Sequence, residues 1–311
     1  MVTLLLASNE DTASLNIFTA LLQLGCWSEP EKFTHGDVFT HLEKNVQLLL
    51  ISELHIHANN IDLEHFKITN QHVDEVLVLS RHVSSTNIPA LTLHAIGIPG
   101  ELPHGETGKS GGIKGTLIPP SPRFSALYRI MANKARKLGL HNNYDITMEA
   151  THHGPILKSP TIYIEIGSTE NEWSDPIASA MWAESISDCL GLEGQDEIGK
   201  WDGSGKVMIG LGGGHYVPRH KDIVSNSDVW LGHLIASYSM SFERNVDNPN
   251  LPSGTWRHSV ISAIESTISA FPGGEIFVHL DRKSFKGWQR DAICTLLKDK
   301  NIPILRKKEI I

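Results

Sequence analysis

The sequence predicts an α/β protein, a three-layer α/β/α sandwich in which helices cover both faces of a mostly parallel or mixed sheet. Three observations carry this. Short β-rich apolar runs alternate with helical segments along the chain. Of 311 residues, 40% are hydrophobic and 20% charged, enough to bury a large core and too little charge for a disordered chain. No internal repeat, heptad or low-complexity tract breaks the alternation.

Taken in order, Val2–Ala7 reads as a buried first strand. Met1–Ala7 lacks a basic flank and is too short for a signal peptide. Ser8-Asn9-Glu10-Asp11 supplies helix-start chemistry, and Leu15, Phe18, Leu21 and Leu22 recur at helical spacing. Val46–Ser52, Glu75–Ser80 and Ala90–Ile96 are strand-like runs. Residues 97–122 hold seven glycines and five prolines, a density that excludes regular structure and describes a long loop. Arg123–Leu138 reads as a helix and Thr161–Ile166 as a strand. Pro176–Leu190 reads as a helix capped by Asp175, with proline in its first position. Val207–Leu211 is an apolar strand running into Gly212-Gly213-Gly214. Val229–Met240 and Trp256–Phe271 read as helices, Ile276–Leu280 as a strand, Phe285–Lys298 as a helix and Ile302–Leu305 as a last strand. No composition shift marks a linker, so a single domain over residues 1–311 is expected.

No apolar run approaches the ~18 residues of a membrane span. Cys26, Cys189 and Cys294 are far apart with no CxxC pair. That argues against a disulfide scaffold or a zinc finger, and for a reducing, intracellular compartment. The net charge of −8 argues against indiscriminate nucleic-acid binding. Two local segments are nevertheless basic. Arg123, Arg129, Lys134, Arg136 and Lys137 lie within residues 121–140 without an acid, and residues 281–311 carry nine basic and four acidic residues. Such runs are usually solvated helix faces, but these leave room for a specific phosphate-bearing partner.

The 17 histidines carry most of the functional information. His82 follows one strand-like run and His94 lies near the end of the next. His152 and His153 stand in Ala150-Thr151-His152-His153-Gly154-Pro155, and His215 follows Gly212-Gly213-Gly214. Glu165 puts a charge inside an otherwise apolar strand. Any one such histidine is most often a hydrogen-bonded core residue. Five of them with a carboxylate at strand ends suit a metal or acid/base site, because the carboxyl ends of strands open the binding crevice of an α/β sheet. Adjacent His152 and His153 would diverge in a strand and can share one metal only in a loop. His55 and His57 read as a solvent-exposed pair. The glycine runs fail the nucleotide-loop tests. Gly210-x-Gly212 is followed by His215, with no helix expected where a pyrophosphate would need one, and Gly105–Lys109 has two residues between its glycines, not four. Backbone N–H groups of Gly212, Gly213 and Gly214 can still approach an oxyanion. No G-x-S-x-G elbow is present.

Several motifs occur together in one order: Ala7-Ser8-Asn9-x-Asp11-x-Ala13-Ser14, Ser80-Arg81-His82-x-Ser84, Leu93-His94-x-x-Gly97, His152-His153-Gly154-Pro155, Glu165-Ile166-Gly167-Ser168 with Glu172-Trp173, and Gly212-Gly213-Gly214-His215-Tyr216-x-Pro218. Their combination resembles the archaeal- and plant-type D-aminoacyl-tRNA deacylase family, from residue 2 to about 240 and more loosely beyond. Beside the compact archaeal forms, residues 35–72 look like an insertion. The resemblance implies a phosphorylase/peptidyl-tRNA-hydrolase-like α/β/α fold. It also implies a cytoplasmic or nuclear zinc-dependent hydrolase acting on the ester of D-aminoacyl-tRNA, aldehyde-modified forms included.

Ester hydrolysis needs an activated water, oxyanion stabilisation and a proton for the leaving ribose oxygen. His152, His153, Glu165 and His215 are the leading zinc-ligand or general-base candidates, with His82 and His94 next. Arg123, Arg129, Arg136 and Lys137 are candidates for tRNA phosphates. A nucleoside phosphorylase-like or metal amidohydrolase enzyme, or a non-catalytic tRNA-binding protein, are the alternatives.

Overall fold

A computed structural model of the chain describes residues 1–101, 111–244 and 252–311. The glycine pair at Gly105–Lys109 lies outside them. In chain order the elements are β1 (Val2–Ser8), α1 (Thr12–Gln23), β2 (Glu31–Phe33), β3 (Gly36–Thr40), β4 (Val46–Ile51), α2 (Ile61–Thr69), β5 (Val73–Val83), β6 (Ala90–His94), β7 (Gly97–Ile98) and β8 (Thr116–Leu117). Then come α3 (Phe124–Lys137), β9 (Asp145–Ile146), β10 (Thr161–Ser168), α4 (Glu170–Trp173), α5 (Pro176–Leu190) and β11 (Lys206–Leu211). The chain ends with α6 (Pro218–Ser225), β12 (Trp230–Ile235), α7 (Trp256–Ala270), β13 (Glu275–Leu280), α8 (Gly287–Asp299) and α9 (Lys307–Ile310).

Eight strands form a mixed sheet in the order β2-β3-β4-β1-β5-β10-β6-β9. Its centre, β4-β1-β5-β10, is parallel, while β6 runs antiparallel to β10 and β2 and β3 close the other edge as antiparallel strands. A second, three-stranded parallel sheet has the order β12-β11-β13. The expected α/β class and mostly parallel packing are present, divided between two sheets. Residues of α1, α3 and α5, such as Phe18, Leu127 and Trp182, pack on one face of the large sheet. Met208, Leu231, Leu234 and Phe277 of the small sheet enter that same core. On the other face of the large sheet Leu4, Leu6, Val76 and Val78 meet Ile61 of α2, Ile118 and Leu157. The outer face of the small sheet packs on α7 and α8 through Val260, Ile264, Ile293 and Leu297.

Local chemistry explains the helix limits. Asp175 accepts hydrogen bonds from the N–H groups of Ile177 and Ala178, Pro176 fills the first position, and Gly191 ends α5 with a left-handed φ of 65°.

Four expectations change. Val229–Met240 is not a helix: Trp230–Ile235 is strand β12, followed by a short 3-10 turn at Ser237–Ser239. A strand buried on both faces is apolar throughout and cannot be told from a buried helix by periodicity. Ile302–Leu305 makes only an isolated bridge between Ile304 and Val278, and Pro303 has no N–H to extend it. Residues 97–122 contain the short pair β7 and β8. A helix, α6, does begin at Pro218, four residues beyond Gly214. The segment at 35–72 supplies β3, β4 and α2, and β4 pairs with β1 inside the sheet.

His220 of α6 is fully buried, with its ring bonded to the Gly212 carbonyl and to His279. Burial, then the neighbouring His279, push it down to about 3. In the unfolded chain it takes a proton near 6.5. Between those values the unfolded state binds more protons, so stability falls as pH falls from 6.5 toward 3. Urea unfolding at pH 7, 6 and 5 is expected to show this decline, about 1.4 kcal/mol per pH unit from this group. A flatter acid limb is expected in His220→Gln. Equal acid limbs in the two proteins would count against it.

Candidate active site

The chemistry-bearing side chains gather on one face of the large sheet through the period-two alternation of its strands. In β5, β6 and β10, Leu79, Leu93 and Ile164 enter the core beneath α1, α3 and α5. The alternate positions, His82, His94, Tyr163 and Glu165, point the other way, with Tyr163 paired to His94 and Glu165 to Ser80. Gly167 lies against His82, where an added Cβ would come within 2.4 Å of the His82 carbonyl oxygen.

The other members come from residues 147–153, which carry no assigned strand but cross from one sheet to the other. The N–H groups of Thr147 and Glu149 donate to Leu91 and Leu93, that of Ala150 to His215, and that of Thr151 to Leu234. This lays Glu149 and His152 against His215.

His82 Nδ1 is 3.1 Å from Glu149 Oε1 and 3.2 Å from Glu165 Oε2. His215 Nε2 and His152 Nε2 stand 2.8 and 3.6 Å from Glu149 Oε2, and His94 Nε2 is 3.6 Å from Glu165 Oε1. The Glu149 contacts are close but not aligned as hydrogen bonds, so we treat them as charge contacts. The rings of His94, His152 and His153 have centroids 4.1 to 4.7 Å apart. Each of these three uses Nδ1 on a backbone carbonyl: His94 on Ala95, His152 on Ala150 and His153 on Gly154. That leaves Nε2 as the nitrogen free to ligate.

Electrostatics follow from this packing. Burial opposes charge on Glu149, but His82 and His215 outweigh it and hold the carboxyl well below its usual range. Burial likewise opposes charge on Glu165, and its hydrogen bond to His82 with the nearby His94 brings it down to about 2. Burial opposes charge on His82 too, and Glu149 with Glu165 pushes it up to about 9. Burial, then the charge of His94, keeps His152 well below its ordinary value and His153 near 3. The result is a pair of ionised carboxylates interleaved with imidazoles, two of them firmly neutral. The cluster opens on a cavity of about 250 Å³ whose lining includes Asp11, His55, Arg81, His82, His152 and His215.

Beside the cluster, His55 Nε2 lies 3.2 Å from Asp11 and Nδ1 3.3 Å from the Tyr163 hydroxyl. The Tyr163 ring stacks on His94 and meets His153 edge-on. Tyr163→Phe keeps the ring and removes only its tether to His55. We expect turnover to fall several-fold with the thermal midpoint nearly unchanged, read by single-turnover kinetics and melting.

The D-aminoacyl-tRNA deacylase family profile matches residues 69–305. The chain is 40% identical to the D-aminoacyl-tRNA deacylase of Arabidopsis thaliana, with 98% of each chain covered. It is 30% identical to that of Methanosarcina mazei, over 98% of this chain and 92% of that one. The chain belongs to the D-aminoacyl-tRNA deacylase family. A crystal structure of a conserved protein of unknown function superposes on it with a TM-score of 0.79 at 25% identity, covering 99% of this chain and 96% of that one.

For a member of this ester-hydrolase family, the structure brings together His82, His94, His152, His153, Glu165 and His215. It adds Glu149, which the sequence reading missed. Glu149 is an acid between apolar Met148 and Ala150, three residues before His152, the same signal that picked out Glu165. His55 is buried on Asp11 rather than exposed, while His57 is exposed as expected. Of the glycine donors, the Gly212 N–H bonds the Ile235 carbonyl and the Gly213 N–H bonds Ser284 Oγ. Gly214, where an added Cβ would meet nothing within 4 Å, faces open space.

Of the basic candidates at α3, Arg123 and Arg129 are a correction. Arg123 is buried, bonded to Glu75 and Glu197, because it ties the base of the large sheet to the residues after α5. The Arg129 guanidinium bonds the carbonyls of Val224 and Val229. Arg136 and Lys137 are exposed.

The donor set fits zinc. Among the described residues, three combinations of side chains lie within reach of one ion: His94 with His152 and His153, Glu149 with His152 and His215, and His82 with Glu149 and Glu165. His94 Nε2 and both Glu149 oxygens are buried without an aligned hydrogen-bond partner, as unmet ligand atoms would be. His94 is raised by Glu165 against its burial, and an arriving cation would displace that proton. Imidazole and carboxylate are the donors zinc accepts. No helix among the described residues is long and apolar enough to cross a membrane.

Proposed function

We propose that this chain is a zinc-dependent hydrolase that cleaves the ester of D-aminoacyl-tRNA, releasing the D-amino acid and tRNA. The observation that carries the reading is the convergence of His82, His152, His153, His215 and Glu165 on one cavity, with His94 and Glu149 within ligand reach behind them, in a chain of this family. Zinc, when bound, supplies Lewis acidity toward water and the ester carbonyl.

The side chains supply the rest. Hydrolysis places the water oxygen on the carbonyl carbon and one of its protons on the departing ribose oxygen. His215 is part-exposed, held between Glu149 and the Tyr238 hydroxyl 3.1 Å from its Nδ1. With water in place of the Tyr238 hydroxyl at Nδ1, it takes the water's proton and delivers it to the ribose oxygen. The Gly214 N–H, on the exposed turn before His215, serves as the backbone donor to the oxyanion. A cavity of about 250 Å³ admits an aminoacyl group but leaves the body of a tRNA outside.

Stereochemistry tests the reading. One tRNA is charged with D-Tyr and with L-Tyr, and release is followed under single-turnover conditions. We expect cleavage of the D ester at least about a hundredfold faster, which requires ~2.7 kcal/mol of differential transition-state binding. Equal rates would leave a general esterase.

A further inference from the structure

We infer that the phosphate backbone of the tRNA lies against a basic surface at the carboxyl end of the small sheet, built on Arg282, Lys283 and Lys286 beside the Gly212–Gly214 turn; this rests on the deacylase reading above.

The surface is joined to the active site by short contacts. β13 ends at Leu280, and the turn that follows docks on the turn after β11. The Gly213 N–H donates to Ser284 Oγ at 2.7 Å. Two residues beyond Gly213 stands His215, at the edge of the catalytic cavity. Arg282 and Lys283 precede Ser284, and Lys286 opens α8, so all three cations sit on the rim of the turn that carries His215. All three are exposed.

Their charge is not spent within the protein. Asp281, the acid of the turn, is buried, with its Oδ1 3.3 Å from Arg219 Nε and accepting the Lys283 N–H. Among the described residues, none of Arg282, Lys283 or Lys286 forms an ion pair with a side-chain carboxylate. Arg290 backs them, its guanidinium bonding the carbonyls of Arg282 and Phe285. One turn along, the Arg244 guanidinium lies 5.3 Å over the Trp288 ring. Among the described residues, the exposed acids Glu243 and Asp291 adjoin Arg244 and Arg290 in sequence.

The contrast with α3 is physical. There Arg123 and Arg129 are consumed internally, and Lys134 is neutralised by Glu184 and Asp188. A polyanion whose 3′ end enters the cavity needs unpaired cations beside the opening. Phosphate contacts fix its register while the cavity reads the aminoacyl group.

The test measures binding of uncharged tRNA to the zinc-loaded chain across a salt series. Four proteins are compared: wild type, the triple variant Arg282→Glu, Lys283→Glu, Lys286→Glu, the neutral pair Arg282→Gln, Lys283→Gln, and the α3 variant Arg136→Glu, Lys137→Glu. We expect the triple variant to bind at least tenfold more weakly at low salt. Its slope of log affinity against log salt should be shallower by about two to three. The α3 variant should bind within twofold of wild type. The neutral pair Arg282→Gln, Lys283→Gln should show a smaller loss in the same direction, which guards against misfolding of the reversal variant. Wild-type affinity in the triple variant and the neutral pair, or an equal loss in the α3 variant, overturns the surface. Hydrolysis of D-Tyr-tRNA by wild type is read separately. Hydrolysis with unchanged binding by the variants overturns this surface and leaves the deacylase reading standing. Weakened binding with no hydrolysis by wild type sustains the surface and overturns that reading.

Discussion

Stripping zinc with a chelator is expected to abolish cleavage of D-aminoacyl-tRNA, and added Zn²⁺ to restore it. Lewis-acid activation lowers the pKa of water to about 7, so its loss leaves almost no nucleophile at neutral pH. His152 is the sharpest single probe, because it belongs to two of the three possible ligand sets. His152→Ala should lower zinc content and reduce turnover by at least about a hundredfold. The ring is part-exposed and hydrogen-bonded only at its own turn, so the melting temperature should move little. Metal analysis, melting and single-turnover rates check this. Full activity in a preparation verified free of metal would sink the zinc reading.

Glu149→Gln is expected to be nearly as damaging. It keeps the shape of the side chain and removes the charge that His82, His152 and His215 share. Turnover should fall by on the order of 10²–10⁴, the usual worth of a positioned acid–base group. The effect should appear in kcat, since Glu149 is fully buried and lies beneath the substrate's binding surface. Glu184→Gln, at an exposed carboxylate on α5, serves as the control with no expected effect. A Glu149→Gln protein that turns over normally would remove this carboxylate from the chemistry.

Much of this was legible in the residues. Five of the histidines that assemble the site stand at or just after strand-like runs, and Glu165 is a charge in an apolar strand. His152 and His153 reach one cluster because their segment is a loop, with His153 at φ 47°. Glu149 escaped notice because its surroundings, Thr147 to Ala150, form no strand and are held only by long-range hydrogen bonds. The basic residues of α3 misled because sequence spacing cannot show that Arg123 is buried on Glu75, 48 residues away.

What the sequence determined by itself is local. Alternation set which face of each strand is apolar, Asp175, Pro176 and Gly191 set the limits of α5, and the side-chain chemistry of histidine and glutamate set what kind of site could form. Only the tertiary structure decided which of those groups meet. His82 touches Glu165 across 83 positions because β5 and β10 pair in one register, and a slip of one residue would turn either side chain into the opposite core. His215 reaches Glu149 because residues 147–153 bridge two sheets, and Ser284 meets the turn that leads to His215 because two turns from separate strands dock through Gly213 and Ser284. Pairings of this kind depend on strand register and on the shared core between sheets, which are properties of the folded chain as a whole and leave no trace in any local window.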